Sequence, residues 1–580
     1  MYNSCDLHHE GRKRKQTMKE VLKKVIKKIP ALIWVALAAV LLFLNSGLRT
    51  AWAAETPAEW VGITSCVISG DNVVITGRNT GSISGSDSQF YLFELQPYED
   101  SIGARKDYIA AAPKAGEVSF TIPLNRGTTD SRLYSKFMVA VWNGETYVPV
   151  SQQAYITNPE AVAENQNPYK DPLTKKGLLI EPELMDDAFS LGVKHVIINL
   201  PFQFILGEGI DYEYEGKTYH FNQELFDRYD TIVRNMSAKD LTITAVILNS
   251  WNDATPDLYY PGTVQTEGVN YYMFNASTEA GYDYIKAIAS FLAEHYGAEG
   301  NGTISNWIIG NEINNQAWNY IGPMDVDQYV KEYERAFRVF YTAIRPTNAN
   351  ARIYFSTDYN WNNEADGSTK YNAMDVISKF NANVAAGGQM DWGLAYHPYS
   401  VPLTEPEFWD DFSTGLVTWS ADSPIVNIAN LSVLTDYFQQ PQMLTASGEV
   451  RHIILSEQGF TSISATRGEC EELQAAAIAY AYYIVDSNPY IDAFIMSRQV
   501  DAPSEAQLSA SFGLYECDMT RTDRHVPTHR KMSYEVYRYI DRASKTLEVS
   551  EFAKSILGIE NWYDVIPNFR WEGLERRAQN

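Results

Sequence analysis

Hydrophobic and polar residues follow two different patterns, or rhythms, in two successive parts of the chain. Between about residues 55 and 157, short runs with alternating hydrophobic positions are separated by turn residues, which is typical of β-strands. The clearest runs cover residues 73–77, 90–95, 117–124 and 137–142. Asn143-Gly144 follows the last of them and favours a tight hairpin with both residues at positive φ. This pattern predicts a β-sandwich accessory domain over residues 55–157.

The second rhythm follows a linker, residues 158–172, that is rich in proline, asparagine and charge. Strand-like hydrophobic runs then alternate with amphipathic helical segments such as 282–296, 330–344, 472–485 and 531–541. The runs lie at 176–181, 195–202, 241–248, 304–311, 351–357, 391–397, 452–460 and 492–498. Such a series predicts an α/β fold, a (β/α)8 TIM barrel with a helical C-terminal tail, over residues 173–580. A doubly wound open sheet is the alternative, but no glycine-rich phosphate-binding motif follows the first strand.

The composition limits the classes of partner. The 580 residues carry a formal net charge of −25. Because nucleic acids and anionic membranes attract basic proteins, this acidity argues against both, and a strongly anionic polysaccharide becomes a less attractive substrate. Aromatic residues make up 13% of the chain. This content fits either a large core or a surface that stacks on flat ligands such as sugar rings.

The N-terminus has the order of a secretory signal. Several lysines precede a hydrophobic run from Ala31 to Leu44, and Ala51-Trp52-Ala53 has the form of a cleavage site. We therefore expect residues 1–53 to be a signal peptide and the mature protein to be secreted or held on the extracellular surface of a bacterium. The hydrophobic run is shorter than the roughly 20 residues of a membrane span. We expect no membrane association after cleavage, with an uncleaved anchor as the alternative.

Cysteine and histidine spacing gives no metal pattern. Cys66, Cys470 and Cys517 remain after the signal, and their spacing fits no zinc site. Cys470 and Cys517 either pair in an oxidising compartment or stay as free thiols. Histidines form neither H-x-H nor H-E-x-x-H. We predict no cofactor and no catalytic metal, while a structural Ca²⁺ stays open.

Two glutamates stand where a barrel enzyme keeps its chemistry, at the C-terminal ends of strands. The fourth run ends in Asn311-Glu312 and the seventh contains Glu457 near its end. Strands three apart in the series face each other across the barrel mouth. Glycoside hydrolysis needs such a pair, one carboxyl to protonate the departing oxygen and one to attack the anomeric carbon. Asn-Glu and Ser-Glu dipeptides are common on protein surfaces. The interpretation therefore depends on finding both at the ends of hydrophobic strands that are the fourth and seventh of eight.

The arrangement resembles the clan A glycoside hydrolases, in architecture over about residues 175–545 and in motif around NWIIGNE and ILSEQGF. The resemblance implies a retaining enzyme in which Glu312 is the acid/base, Asn311 binds the 2-hydroxyl of the sugar and Glu457 is the nucleophile. The sixth run ends in a His-x-Tyr pattern similar to that of several clan families. By resemblance, Tyr399 hydrogen-bonds the nucleophile and His397 helps to bind substrate.

Two positions depart from the clan pattern. Many members carry an arginine at the end of strand 2, where this chain has Asn199, and a tryptophan at the end of strand 8, where it has Arg498 and Gln499. These departures concern the substrate more than the reaction type, and Asn199 and Arg498 are candidate substrate ligands. The rim loops also carry three candidate platforms for sugar rings, namely Trp251, Trp318 and Trp361.

The sequence thus predicts a secreted retaining glycosidase that acts on an oligo- or polysaccharide by double displacement. The alternative is a catalytically inactive barrel that binds glycans at the cell surface or after secretion. An esterase or deacetylase is disfavoured because no G-x-S-x-G stands between a strand and a helix. The β-sandwich either binds carbohydrate or supports the barrel, and support is favoured because it has no obvious aromatic strip. Sugar, linkage, endo or exo action and oligomeric state do not follow from the sequence.

Overall fold

The computed structural model describes residues 60–81, 83–297, 300–363, 365–566, 568–571 and 574. The signal peptide expected at residues 1–53 lies outside the described residues. The described residues 61–79 and those from 84 onward belong to one compact unit, which contains both the N-terminal sheets and the barrel. Among the described residues, no helix combines the length and the hydrophobicity that a membrane crossing requires.

Two antiparallel sheets form the N-terminal part, consistent with the predicted small β-sandwich. The first sheet contains Val61–Ser69, Asn72–Asn79 and Glu117–Pro123. The second contains Gln89–Leu95, Ala110–Pro113, Lys136–Trp142, Tyr147–Pro149 and Ala154–Tyr155. Buried and exposed residues alternate strictly along Glu117–Pro123, so one face of the first sheet is covered.

The hairpin loop after Trp142 is longer than predicted. Trp142 pairs with Tyr147, so four residues rather than two connect the strands. Gly144 has a positive φ of 105°, but Asn143 does not. The side chain of Asn143 instead accepts a hydrogen bond of 2.9 Å from the backbone N–H of Glu145. This local bond stabilises a wider turn than the two-residue type in which both residues need positive φ.

A closed barrel of parallel strands follows, which confirms the predicted (β/α)8 fold and excludes the open sheet. Each strand pairs with the next along the chain, and the last strand closes the barrel by pairing with the first. Barrel strands 1 to 8 are, in order, Lys176–Leu179, His195–Pro201, Thr242–Leu248, Asn306–Ile309, Arg352–Asp358, Trp392–His397, Ile453–Gln458 and Ala493–Met496.

Helices surround the barrel between its strands. They are Met185–Leu191, Phe202–Ile205, Gln223–Ala238, Glu279–Gly297, Val326–Ile344, Ala373–Gly387, Ser432–Phe438, Glu471–Ser487, Pro503–Ala506, Met532–Tyr539 and Thr546–Leu557. Short 3-10 helices are Pro159–Val162, Pro182–Leu184, Pro256–Leu258, Phe408–Thr414 and Trp562–Asp564. The helix after barrel strand 4 begins at Val326 and is capped by Asp325, whose side chain accepts a hydrogen bond from the N–H of Gln328.

Three small β-hairpins lie in the loops of the barrel. They pair Gly209–Tyr214 with Lys217–Asn222, Ile463–Ser464 with Gly468–Glu469, and Tyr515–Cys517 with Pro527–Arg530. The first hairpin follows barrel strand 2. The other two follow barrel strands 7 and 8, beside the mouth at which the predicted glutamates lie.

The inside of the barrel is filled with side chains. A buried hydrophobic cluster is formed by Ile197, Val246, Leu248, Ile308, Tyr354, Ala395, Ile454, Ala493 and Ile495, which come from seven of the strands. The barrel is therefore a packed core and not a pore. Polar side chains at the C-terminal ends of the strands lie above this core, in the opening where a substrate has access.

The N-terminal sheets pack against the helices that follow barrel strands 3 and 4. The hydroxyl of Tyr134 lies 3.3 Å from Oγ of Ser290. The guanidinium of Arg335 forms an ion pair of 2.8 Å with Asp100, and only 7% of the Arg335 side chain is exposed. Because the guanidinium is nearly buried, removing Asp100 would leave part of its charge without a partner.

Candidate active site

Glu312 lies just beyond barrel strand 4 in a left-handed stretch of backbone. Its φ is 39°, and that of Gly310 is 78°. A positive φ is uncommon outside glycine and costs free energy, so neighbouring contacts have to hold it. The backbone N–H of Glu312 donates to Oγ of Ser356 at 2.8 Å, and the N–H of Ile313 donates to the Ser356 carbonyl at 2.9 Å. Barrel strand 5 therefore fixes the backbone that carries Glu312.

Glu457 lies in barrel strand 7, next to the residues that follow strand 6. The hydroxyl of Tyr399 donates a hydrogen bond of 2.8 Å to Oε1 of Glu457. The Glu457 side chain is 39% exposed, whereas that of Glu312 is 13% exposed. The two glutamates thus lie in different surroundings.

His397, the last residue of barrel strand 6, lies between the two carboxyl groups. Its Nδ1 is hydrogen-bonded to Oε1 of Glu312 at 2.8 Å and lies 3.8 Å from Oε2 of Glu457. Its Nε2 lies 3.1 Å from Oγ of Ser456. Because one nitrogen is close to both carboxyl groups, those two oxygens are no farther apart than the sum of the two distances. The structure therefore brings together Glu312, Glu457, His397 and Tyr399.

Burial and neighbouring charges shift the pKa values of Glu312 and His397. Burial raises the pKa of Glu312 to about 7, and the charge of Glu457 acts in the same direction, against the opposing effect of His397. Burial alone would lower the pKa of His397, but the charges of Glu457 and Glu312 outweigh it and raise that pKa. Glu312 consequently holds a proton up to about neutral pH, as a general acid must.

Asn311 and Trp318 lie on the same segment as Glu312. Both side chains are partly exposed. The ring of Trp318 lies 6.2 Å from that of Tyr271, measured between centroids. These positions leave both predicted ligands accessible beside Glu312.

Asn199 and Trp251 line a second part of the barrel mouth, a cavity of about 440 Å³. Asn199 lies two residues after Ile197, which packs inside the barrel, so its side chain is on the same inward face of strand 2. Asn199 is exposed at that face. Trp251 is half-buried, and its ring stacks on Tyr259 with centroids 4.4 Å apart.

Arg498 follows barrel strand 8, and its guanidinium is engaged within the protein. Nε donates to Oε2 of Glu505 at 2.9 Å, the second carboxylate oxygen is bonded to another guanidinium nitrogen, and a third nitrogen donates to the Ser497 carbonyl. The neighbouring Gln499 is buried and bonds back to the segment after barrel strand 1. Contact of Arg498 with a substrate stays a prediction.

The prediction that Trp361 stacks on a sugar is wrong. Its side chain is 0% exposed, its Nε1 donates to the carbonyl of Ala421 at 3.0 Å, and its ring packs edge-on against Tyr437. A ring enclosed on all sides has no face to offer a ligand. Trp361 is a core residue, covered by the segment that follows barrel strand 6.

Two residues that the sequence did not indicate hold the loop of Tyr399. Oδ2 of Asp411 accepts hydrogen bonds from the N–H of Val401 at 2.9 Å and from the amide of Asn427 at 2.6 Å. The same amide also donates to the Tyr399 carbonyl at 3.2 Å. Burial raises the pKa of Asp411 to about 7. No short motif marks such residues, because their partners lie in an irregular loop.

Metal ligands and disulfides do not form part of the described site. Among the described residues, no group of three or more His, Cys, Asp and Glu side chains is arranged to hold a metal ion. Cys66, Cys470 and Cys517 are free thiols, so Cys470 and Cys517 do not pair.

A model of a family of unknown function (DUF5722) matches residues 168–565. The chain belongs to the DUF5722 family. The match contains all eight barrel strands and both glutamates of the DUF5722 barrel, and it begins after the N-terminal sheets. No curated protein matches the sequence.

Several solved structures are similar to this DUF5722 protein. A family 39 glycoside hydrolase from Bacteroides cellulosilyticus WH2 is 16% identical with a TM-score of 0.42, over 83% of this chain and 82% of that one. The β-glycosidase from Thermosphaera aggregans is 13% identical with a TM-score of 0.40, over 64% and 86%. A family 1 β-glucosidase from Thermotoga maritima is 14% identical with a TM-score of 0.38, over 64% and 85%. Likeness at this level says nothing about a substrate.

Proposed function

We propose that the protein is a retaining glycoside hydrolase that cleaves an O-glycosidic bond of an oligo- or polysaccharide. The observation that carries the proposal is the placement of Glu312 and Glu457 at the ends of barrel strands 4 and 7, with His397 between them. One carboxyl is buried with a pKa of about 7, and the other is more exposed and accepts a hydrogen bond from Tyr399. These are the surroundings that a proton donor and a nucleophile require.

The spacing of the carboxyl groups favours retention of configuration. Nδ1 of His397 lies 2.8 Å from Glu312 and 3.8 Å from Glu457. The two oxygens reach the sum of these distances only if all three atoms lie on one line. Even that limit is at the lower edge of the roughly 6.5–9.5 Å of inverting enzymes. If the three atoms do not lie on one line, the two oxygens are closer together. Their separation then approaches the roughly 5–5.5 Å between the carboxyl groups of retaining enzymes.

In the first step, a carboxylate oxygen of Glu457 attacks the anomeric carbon of the bound sugar. The glycosidic C–O bond breaks, and Glu312 gives its proton to the departing oxygen. The products of the step are a free alcohol and a glycosyl ester on Glu457. The hydrogen bond from Tyr399 orients the carboxylate for attack.

In the second step, Glu312 acts as the base. It takes a proton from water while the water oxygen attacks the anomeric carbon, and the ester bond to Glu457 breaks. Two displacements at the same carbon return the original configuration. His397 hydrogen-bonds Glu312 and favours its ionised form, which is the form that this step needs.

A catalytically inactive, glycan-binding barrel is the second candidate. Binding alone needs no buried carboxyl with a raised pKa beside a second, more exposed carboxyl. The surroundings of Glu312 and Glu457 therefore favour the enzyme. The N-terminal sequence supports a secreted enzyme, which fits a polymeric substrate outside the cell.

The test uses purified protein and a panel of neutral and acidic polysaccharides with chromatographic sizing of the products. We expect Glu457→Gln to release product about 10³-fold or more slowly than wild type, because the nucleophile is lost. Glu551→Gln, at a side chain that is 67% exposed, serves as the matched control and should keep wild-type rates. Equal release by wild type and Glu457→Gln would show that the assignment of Glu457 is wrong.

Azide separates the two roles. With Glu457→Ala, azide should attack in place of the carboxylate and yield a glycosyl azide of inverted configuration. With Glu312→Ala, azide should open the glycosyl ester and yield a product of retained configuration. Proton NMR of the first anomer formed by wild type completes the test, and an inverted first product would contradict double displacement.

A further inference from the structure

The cavity that contains Asn199 and Trp251 lies between the ends of barrel strands 2 and 3 and the segment after strand 3. Its volume is about 440 Å³. This is enough space for a ligand group of the size of a sugar ring, since drug-sized pockets begin at about 300 Å³. Neither glutamate lines it, so it does not coincide with the site proposed for bond cleavage.

Tyr271 lines this cavity on the side that faces the segment of Glu312. Its ring packs against the hydrophobic cluster inside the barrel and lies 6.2 Å from Trp318, on the segment of Glu312. The N–H of Tyr320 donates to the Tyr271 carbonyl at 2.9 Å, which pairs the two segments. Burial raises the pKa of Tyr271, and the charge of Glu457 raises it further. A ligand in the cavity therefore lies beside the segment that carries Glu312.

The described lining of the cavity contains no charged side chain, although 21% of the residues of the chain are charged. Four carboxamides face it instead, those of Asn199, Gln203, Gln265 and Asn270. Within the described part of the chain, these side chains have no hydrogen-bond partner. A carboxamide both donates and accepts hydrogen bonds. The cavity thus matches hydroxyl groups, which also do both.

Two aromatic rings add hydrophobic faces. Trp251 is held in place, because it stacks on Tyr259 and its Nε1 donates to Asp253 at 2.8 Å. Phe204 is 53% exposed at the edge of the cavity. Rings that are already ordered lose little conformational entropy when a ligand packs on them. Free carboxamides together with ordered aromatic faces suit the hydroxyl and C–H groups of a sugar ring.

We propose that this cavity binds an uncharged sugar unit adjacent to the unit being cleaved, so that the substrate is a neutral oligo- or polysaccharide. The inference rests on the proposed glycosidase function and adds its substrate class. A carboxylated or sulfated sugar would lose its hydration in the cavity without a cation to pair with, which is unfavourable. The guanidinium of Arg498 is bonded to Glu505 and does not supply that cation.

The experiment measures binding in the Glu457→Gln protein, so that no probe is consumed. The probes are cellotetraose, mannotetraose, xylotetraose and tetragalacturonate, titrated by calorimetry. We expect at least one neutral probe to bind and tetragalacturonate not to bind. Adding Trp251→Ala or Gln265→Ala should weaken the neutral probe roughly tenfold or more, because stacking or hydrogen bonds are lost. Trp419→Ala, at an exposed ring that does not line the cavity, is the matched control.

Three outcomes would overturn the inference. They are tighter binding of tetragalacturonate than of every neutral probe, no binding of any neutral probe, and unchanged affinity in both cavity variants. Gln265 is exposed, so its variant keeps the test valid if Trp251→Ala unfolds. The proposed glycosidase function fails separately, if Glu457→Gln releases sugar as fast as wild type.

Discussion

The hydroxyl of Tyr399 donates a 2.8 Å hydrogen bond to Oε1 of Glu457 from the neighbouring strand end. A hydrogen bond to a charged group contributes roughly 1.5–3 kcal/mol. Tyr399→Phe removes the donor and little else, so we expect kcat/KM to fall about 10- to 100-fold. Steady-state kinetics test this, with Tyr563→Phe at an exposed ring as the control. Similar rates for the two variants would show that Glu457 does not need this donor.

The pKa of Glu312, raised to about 7, predicts the alkaline limb of the pH–rate profile. Above this pH the carboxyl loses its proton and can no longer act as the general acid. We expect kcat/KM to fall about tenfold for each pH unit above the pKa. A substrate whose leaving group needs no protonation, such as a dinitrophenyl glycoside, should lose this limb. If both substrates showed the same limb, another group would be responsible.

The same carboxyl makes stability depend on pH. The pKa of Glu312 is raised in the folded protein from its ordinary value of 4.5 to about 7. Its contribution to stability is therefore complete below about pH 4.5 and is lost as the pH rises through about 7. Glu312→Gln removes this dependence. The melting temperature of the variant relative to that of wild type should therefore be higher at pH 8 than at pH 5. Thermal unfolding at both values measures it, and a constant difference would contradict it.

Asp411 stabilises the loop of Tyr399 through bonds to Val401 and Asn427. Asp411→Ala removes the acceptor of the Val401 N–H and of one N–H of the Asn427 amide, and an unmet buried donor costs roughly 1–3 kcal/mol. We expect the free energy of unfolding to fall by about 2 kcal/mol or more, as measured by urea denaturation. Asp411→Asn keeps an acceptor oxygen and should lose less. Identical midpoints for the two variants would mean that these bonds do not hold the loop.

Trp361 and Trp318 should behave in opposite ways. Trp361 is fully buried, so Trp361→Ala should cost about 3–5 kcal/mol of stability. Trp318 is partly exposed beside Glu312, so Trp318→Ala should leave the melting temperature nearly unchanged and raise KM. Thermal unfolding and kinetics on both variants separate core from site. A raised KM with an unchanged melting temperature in Trp361→Ala would contradict its place in the core.

Much of the barrel and its two glutamates could be predicted from the sequence. A parallel barrel strand is buried on both faces, so it is visible as a continuous hydrophobic run. All strands of one barrel end at the same mouth, so the order of strands 4 and 7 was sufficient to place Glu312 and Glu457 together. Strand order needs no knowledge of side-chain packing.

The remaining features depend on contacts between irregular segments. Trp361 is covered by a distant segment of the chain, in which the carbonyl of Ala421, 60 residues farther along, accepts the hydrogen bond of its ring nitrogen. Asp411 accepts a hydrogen bond from Asn427 across a loop whose sequence has no periodic pattern of hydrophobic residues. The turn at Asn143 is stabilised by two hydrogen bonds to its side chain, from the N–H groups of Glu145 and Thr146, which compete with the two-residue turn. Local sequence does not record which of these contacts forms.

The contact between Asp100 and Arg335 decides how far the protein can be trimmed. A chain shortened to start at residue 173 would lose Asp100 and leave a nearly buried guanidinium without this partner. It would also uncover Tyr282, on which Tyr98 and Tyr134 now pack. A bare patch of this kind makes a protein self-associate. A shortened version of this barrel therefore has to keep the N-terminal sheets or receive a redesigned helix surface beneath them.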